Sequence, residues 1–211
     1  MRKVDPVKYE EKRAEILEAA GRCLARHGFH KATIAQICAE AKISPGHLYH
    51  YFETKESIIA AIAGSGLEYA KSRVAQIVES SNPIKALVSE LERLNARHRK
   101  TGPGVLLDVL AEAGRDPTVG KILEENSSGM RELLAAFLRK GQTSGRIDPD
   151  LDTDTAAAVL LSLIDGSKAL SIRAPRLDEK RRSKVLRQMI TRFLSPPGGM
   201  ARKAAPQRRL I

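Results

Sequence analysis

Three hydroxyl residues, Thr33, Ser44 and Thr54, punctuate a short stretch that also carries Gly46, His47, Tyr49, His50, Tyr51 and Lys55. These side chains suit hydrogen bonding to a polyanion better than bond-breaking chemistry. Tyrosine and histidine donate to phosphate oxygens from flat rings, and a glycine lets the backbone come close. A lysine at the start of a helix sets a cation beside free backbone N–H groups, which makes a phosphate clamp. His27, His30, His47, His50 and His98 belong to no triad, paired-carboxylate or metal-ligand spacing, and no glycine-rich phosphate loop occurs. The residues therefore predict no enzyme, no cofactor and no metal.

The elements that must position these groups are legible around them. Thr33 followed by Gln36 is a capping box, so a helix starts there and buries Ile34, Ile37, Cys38 and Ala41. It runs out near Ala41. Ser44 then offers a second cap and Pro45 occupies the first helical position, where its missing N–H costs nothing. The connecting turn is about three residues, so the two helices form a helix-turn-helix. In the second helix Leu48 and Phe52 face inward, which leaves Pro45, Gly46, His47, Tyr49 and His50 outward, with His47 in the turn that reaches base edges in a major groove. Thr54 caps a further helix that begins at Lys55.

The runs T-I-A-Q-I-C-A-E-A at 33–41, S-P-G-H-L-Y-H-Y-F at 44–52 and E-T-K-E at 53–56 resemble the DNA-binding domain of the TetR family of bacterial one-component transcriptional regulators. The resemblance covers about residues 9–64. Two positions depart from the family pattern: Lys42 stands where a turn glycine is usual, and Tyr51 where histidine is frequent. A left-handed Lys42 would cost about 1–2 kcal/mol. The resemblance implies DNA contacts from Thr33, Ser44, Pro45, Gly46, His47, Tyr49, His50, Tyr51 and Lys55.

Composition agrees with a helical DNA-binding protein. Of 211 residues only 4% are aromatic and 29% are charged, with no convincing run of alternating β-branched residues, so an all-α fold is predicted. The net charge of +11 favours a polyanion partner. Arg202, Lys203, Arg208 and Arg209 lie in a terminal stretch without acids, so four of those charges sit in a tail expected to be disordered, either solvated or adding nonspecific DNA affinity. No apolar run follows the first residues and none reaches membrane-spanning length, so neither a signal peptide nor a membrane is expected, and a cytoplasmic location is. Cys23 and Cys38 read as buried reduced thiols, with a redox switch as the alternative.

Taken in order, residues 1–8 form a basic arm, solvated or reaching an adjacent groove, and residues 9–27 a scaffold helix stopped by Gly28, with Phe29 folding back on Leu24 in a Schellman-type cap. The helix opened by Thr54 extends to Val78 through Gly64 and Gly66, read either as a soft or kinked connector or as inert packing glycines. Asn82 and Pro83 open a helix that ends in Asn95 and His98, polar groups satisfied within the core or lining a cavity. After Gly102-Pro103-Gly104 comes a short helix, residues 105–114, and then a long one from Asp116-Pro117 toward Gly145. Its Met130, Leu134 and Phe137 are either core fillers or pocket lining.

A helix starting at Asp152 or Thr153 is apolar nearly all round and must be covered on more than one side. Its L-I-D-G stretch resembles the late segment of the same family, whose last two helices pair in a dimeric four-helix bundle. Leu163, Asp165, Gly166, Val185, Met189 and Phe193 are thereby assigned to a dimer interface.

The whole is expected to hold about nine helices. They comprise an N-terminal three-helix helix-turn-helix domain at 9–64, with the motif itself at 33–52, and a larger helical ligand-binding and dimerisation domain at 65–195. The basic tail is 196–211. The resemblance implies a homodimeric regulator, most often a repressor, that leaves a pseudo-palindromic DNA operator when an apolar or amphipathic small-molecule effector binds. A low-specificity DNA coater using the tail, and a regulator controlled by a protein partner, are the alternatives.

Overall fold

The computed structural model describes residues 5–98 and 104–197, except for the side chains of 95–98, 104, 168 and 171. These residues form nine helices and no strand: α1 (Pro6–Lys31), α2 (Ile34–Ala41), α3 (Pro45–Tyr49), α4 (Lys55–Ile77), α5 (Pro83–His98), α6 (Gly104–Ala113), α7 (Pro117–Thr143), α8 (Thr153–Arg173) and α9 (Glu179–Leu194). Most starts carry a polar cap of the predicted kind. Asp116, Asp152 and Asp178 accept hydrogen bonds from backbone N–H groups at the starts of α7, α8 and α9.

The helices enclose two apolar cores. The first gathers Ile16, Leu24, Ile37, Leu48, Phe52 and Ile58 from α1 to α4, and it extends to Val109 of α6 and Val119 of α7. The second gathers Leu87, Leu134, Phe137, Ile147, Leu160 and Ile190 from the later helices. Each fully buried aliphatic or phenyl side chain contributes about 1.5–3 kcal/mol relative to exposure, so these side chains fix how the helices sit. α4 passes from one core to the other and lies tightly on α7. A Cβ at Gly129 would come within 2.6 Å of the Leu67 side-chain methyl, so a larger residue there would make Leu67 shift.

Three sequence expectations change, and one pair of alternatives is resolved. Asp5 caps α1 by accepting from Val7 N–H, so residues 6–8 are the first turn of a helix rather than part of an arm. Gly28 does interrupt the regular helix, at a kink before a last turn to Lys31, but without the expected Schellman-type cap. At φ 76 and ψ 168 it is extended, outside the left-handed conformation a Schellman cap needs, and Phe29 N–H turns away to Asp108 on α6. The helix through Gly64 and Gly66 is unbroken, and a Cβ at either would meet nothing within 4 Å, so they are neither a kink nor packing contacts within this chain. Finally, Leu134 and Phe137 are closed into the second core, 7% and 2% exposed, because α7 buries that face among its neighbouring helices, α8 included.

Candidate nucleic-acid interface

The interface is assembled from local bonds first. Thr33 N–H donates to Gln36 Oε1 at 2.9 Å and Gln36 N–H to Thr33 Oγ1 at 3.2 Å, the complete capping box of α2. Lys42 then turns the chain in the left-handed region, φ 54 and ψ 45, and its N–H donates back to the end of α2. This is where the family pattern has glycine, and the lysine adopts the same backbone. Ser44 Oγ accepts from His47 N–H at 3.2 Å with Pro45 at the first helical position, and α3 lasts five residues.

Leu48 and Phe52 are buried, 0% and 3% exposed, and hold α3 to the core. Around these anchors Ser44, Pro45, Gly46, His47, Tyr49 and His50 are all exposed. Thr33 is exposed as well, so most of the predicted contact residues are open to solvent. This set offers hydroxyl, phenol and imidazole donors on a firmly seated short helix, the equipment for reading a groove and gripping its flanking phosphates.

Two predicted residues are placed differently. Tyr51 is half-buried, packed against the core and surrounded by rings. Lys55 does follow the Thr54–Ser57 capping box of α4, with N–H to hydroxyl bonds of 3.2 and 3.0 Å. Its ammonium, however, donates to the Phe29 carbonyl and lies 4.4 Å from the centre of the Phe29 ring. Burial there pushes its pKa below the ordinary lysine value. The cation is spent on joining α4 to α1, a use invisible in the sequence because Phe29 is far away along the chain.

Sequence reasoning also missed contacts. The ring of Tyr9, near the start of α1, stacks on Tyr51, and the Arg13 guanidinium lies over Phe52 at 5.2 Å. At the other end of α1, Phe29 N–H donates to Asp108 Oδ2 at 3.2 Å. His30 Nε2 stands 2.6 Å from Glu112 Oε2, close enough for charge pairing but not aligned as a hydrogen bond. These acids of α6 fasten the body to the head. The only sequence signal for the α6 contacts was Gly28, whose need for a special backbone marked the turn they hold.

Elsewhere, Cys23 and Cys38 are free and buried, and burial pushes both thiols up, so they stay protonated. Asn95 and His98 lie outside the described side chains, and Met130 is half-buried. A groove of about 560 Å³ lies between α5 and α9, lined by Pro83, Ile84, Val88, Arg146, Arg187 and Thr191 among others. On α8, Leu163 and Asp165 are half-buried and Gly166 is exposed, while Val185, Met189 and Phe193 of α9 are 53%, 51% and 40% exposed. Val159 and Ile172 of α8 add to this exposed apolar set. Among the described residues no group of histidines, cysteines and acids could hold a metal ion, and no helix is long and apolar enough to cross a membrane.

Known proteins match this chain in two regions. Residues 16–62 match the family of bacterial regulatory proteins named for TetR, and residues 84–195 match the C-terminal region of BetI-type transcriptional repressors. The HTH-type transcriptional regulator UidR of Escherichia coli (strain K12) is 34% identical over 155 residues, 73% of this chain and 78% of that protein. The HTH-type transcriptional repressor KstR2 of Mycobacterium tuberculosis (strain ATCC 25618 / H37Rv) is 28% identical over 148 residues, 68% of this chain and 72% of its own. Among solved structures, Salmonella enterica GusR superposes with a TM-score of 0.75 at 28% identity, over 92% of this chain and 99% of that one. With both halves matched and the helix-turn-helix in place, the chain belongs to the TetR family and is a helix-turn-helix transcriptional regulator.

Proposed function

We propose that this regulator is a homodimeric repressor that leaves a pseudo-palindromic operator when a small apolar or amphipathic effector binds its body. Residues 9–64 form the reading head and residues 65–195 the body. Thr33, Ser44, Pro45, Gly46, His47, Tyr49 and His50 touch DNA, with Tyr51 behind them. The observation that carries the dimer is the apolar face of α8 and α9, where Val159, Val185, Met189 and Phe193 are between 40% and 53% exposed. An apolar face of that kind marks an interaction surface, and a second copy covering it would set two recognition helices on one two-fold axis.

Such a dimer acts in the cytoplasm on double-stranded DNA, its α3 helices in successive major grooves roughly 34–36 Å apart. The effector acts by changing that separation. Met130 is half-buried beside Gly129, where α7 meets α4 closely, so a ligand entering there parts the two helices and tilts the head. It need favour the incompetent arrangement by only a few kcal/mol. Matches to relatives named as repressors support the sign of the regulation.

The test is selection of bound sites from random duplex DNA by the purified full-length protein. An enriched inverted repeat with half-sites about one helical turn apart is expected. A single half-site, or no motif, would overturn the dimeric reading.

A further inference from the structure

Tyr9 is half-buried near the start of α1, far from the recognition helix in sequence. Its ring nevertheless stacks on Tyr51, centroids 4.7 Å apart and planes inclined by 29°. It also meets His50 edge-on at 6.0 Å. Tyr51 in turn lies 5.5 Å from the His47 ring and 5.3 Å from the His50 ring, the latter nearly perpendicular. One helical turn after Tyr9, Arg13 covers Phe52. One face of α1 therefore grips both residues at the exit of α3.

α3 needs that grip. Five residues give too few helical bonds to offset the cost of nucleation, so its shape and attitude are set from outside. Leu48 and Phe52, both buried, anchor it from beneath. His47 and His50 are exposed, and an exposed imidazole on a short helix is otherwise free to swing between rotamers. Tyr51 is the residue that touches both, and Tyr9 holds Tyr51 flat.

We propose that Tyr9 is a positioning residue for operator reading: by stacking on Tyr51 it fixes the rings of His47 and His50 and so sets which base sequence is preferred. The inference rests on the DNA-reading role of α3 proposed above. Tyr9 acts through its stack on Tyr51 and its edge contact with His50, so its part is to place rings rather than to grip phosphate. Removing the ring therefore loosens discrimination, whereas a lost phosphate contact weakens binding to every sequence alike.

The test uses full-length Tyr9→Phe, Tyr9→Leu, Tyr9→Ala, Tyr51→Ala and the Tyr9→Ala/Tyr51→Ala double variant. The readout is affinity for the site enriched by the wild type and for a shuffled duplex, at several salt concentrations. Tyr9→Ala and Tyr9→Leu are expected to lower the enriched-to-shuffled ratio about threefold to tenfold, the scale of one aromatic pair. Shuffled-site affinity and salt slope should stay unchanged, and Tyr9→Phe should keep the wild-type ratio. The double variant should lose less discrimination than the two single losses combined, since the two rings belong to one cluster. Tyr9→Leu, which keeps apolar bulk, reads the effect even if Tyr9→Ala folds poorly. A wild-type ratio in Tyr9→Leu would overturn the inference, as would equal loss on both duplexes shared by Tyr9→Phe, which would make the phenol a phosphate donor. A wild type that enriches no motif would instead overturn the DNA-reading role beneath it.

Discussion

Lys42 holds the turn of the helix-turn-helix in a conformation that crowds its Cβ against the following carbonyl, at about 1–2 kcal/mol. Glycine there removes the crowding but adds roughly 0.5–1 kcal/mol of unfolded-chain entropy. The strain is the larger effect. Lys42→Gly is therefore expected to stabilise the protein by about 0.5–1 kcal/mol, seen as a higher urea midpoint at an unchanged m-value. A lower midpoint would mean that the lysine side chain makes a stabilising contact that exceeds its backbone strain. Lys55 shows a different use of a cation: a residue placed at a helix start, where a phosphate would suit it, instead donates to Phe29 and covers its ring.

At the scale of elements, the joint between α1 and α6 couples the head to the body. Gly28 sits at φ 76 and ψ 168, a region open almost only to glycine, and a Cβ there would stand 2.7 Å from Asp108 Oδ2. Its conformation aims Phe29 N–H at that carboxylate, and Glu112 faces His30 and Arg115 one turn along α6. Asp108→Ala leaves a part-buried donor unpaired, which costs about 1–3 kcal/mol, while Asp108→Asn keeps an acceptor. Amide hydrogen exchange at Phe29 is expected to accelerate in Asp108→Ala and to stay near wild type in Asp108→Asn. Unchanged exchange in Asp108→Ala would show that the joint does not depend on this bond.

For the molecule as a whole, the proposed dimer makes the sharpest claim. Met189 is 51% exposed on the apolar face of α9, outside both cores, so a charge there leaves the monomer's packing intact. Met189→Glu is expected to give a folded monomer in sedimentation equilibrium, because burying an unpaired carboxylate in an apolar interface is strongly unfavourable. Operator affinity should fall more than tenfold with it, since one head supplies only half the contacts. A Met189→Glu protein that stays dimeric would place the subunit contact elsewhere.

By itself the sequence determined what short-range forces decide. The caps at Thr33, Ser44, Thr54, Asp116 and Asp152 join residues two or three apart, and the inward faces carrying Ile37, Leu48 and Phe52 follow from helical spacing, so the nine helices and the outward set on α3 were readable before any fold was known. Only the tertiary structure decided where partners distant in the chain would meet. Phe29 and Asp108 are 79 residues apart and Lys55 and Phe29 are 26 apart, and the Tyr9 stack likewise depends on how α1 crosses the head. Leu134 and Phe137 carry the same pattern whether they line a cavity or fill a core; the packing of the neighbouring helices on α7 chose the core. Periodicity records which face of a helix is buried, but the identity of what covers it is a property of the assembled fold.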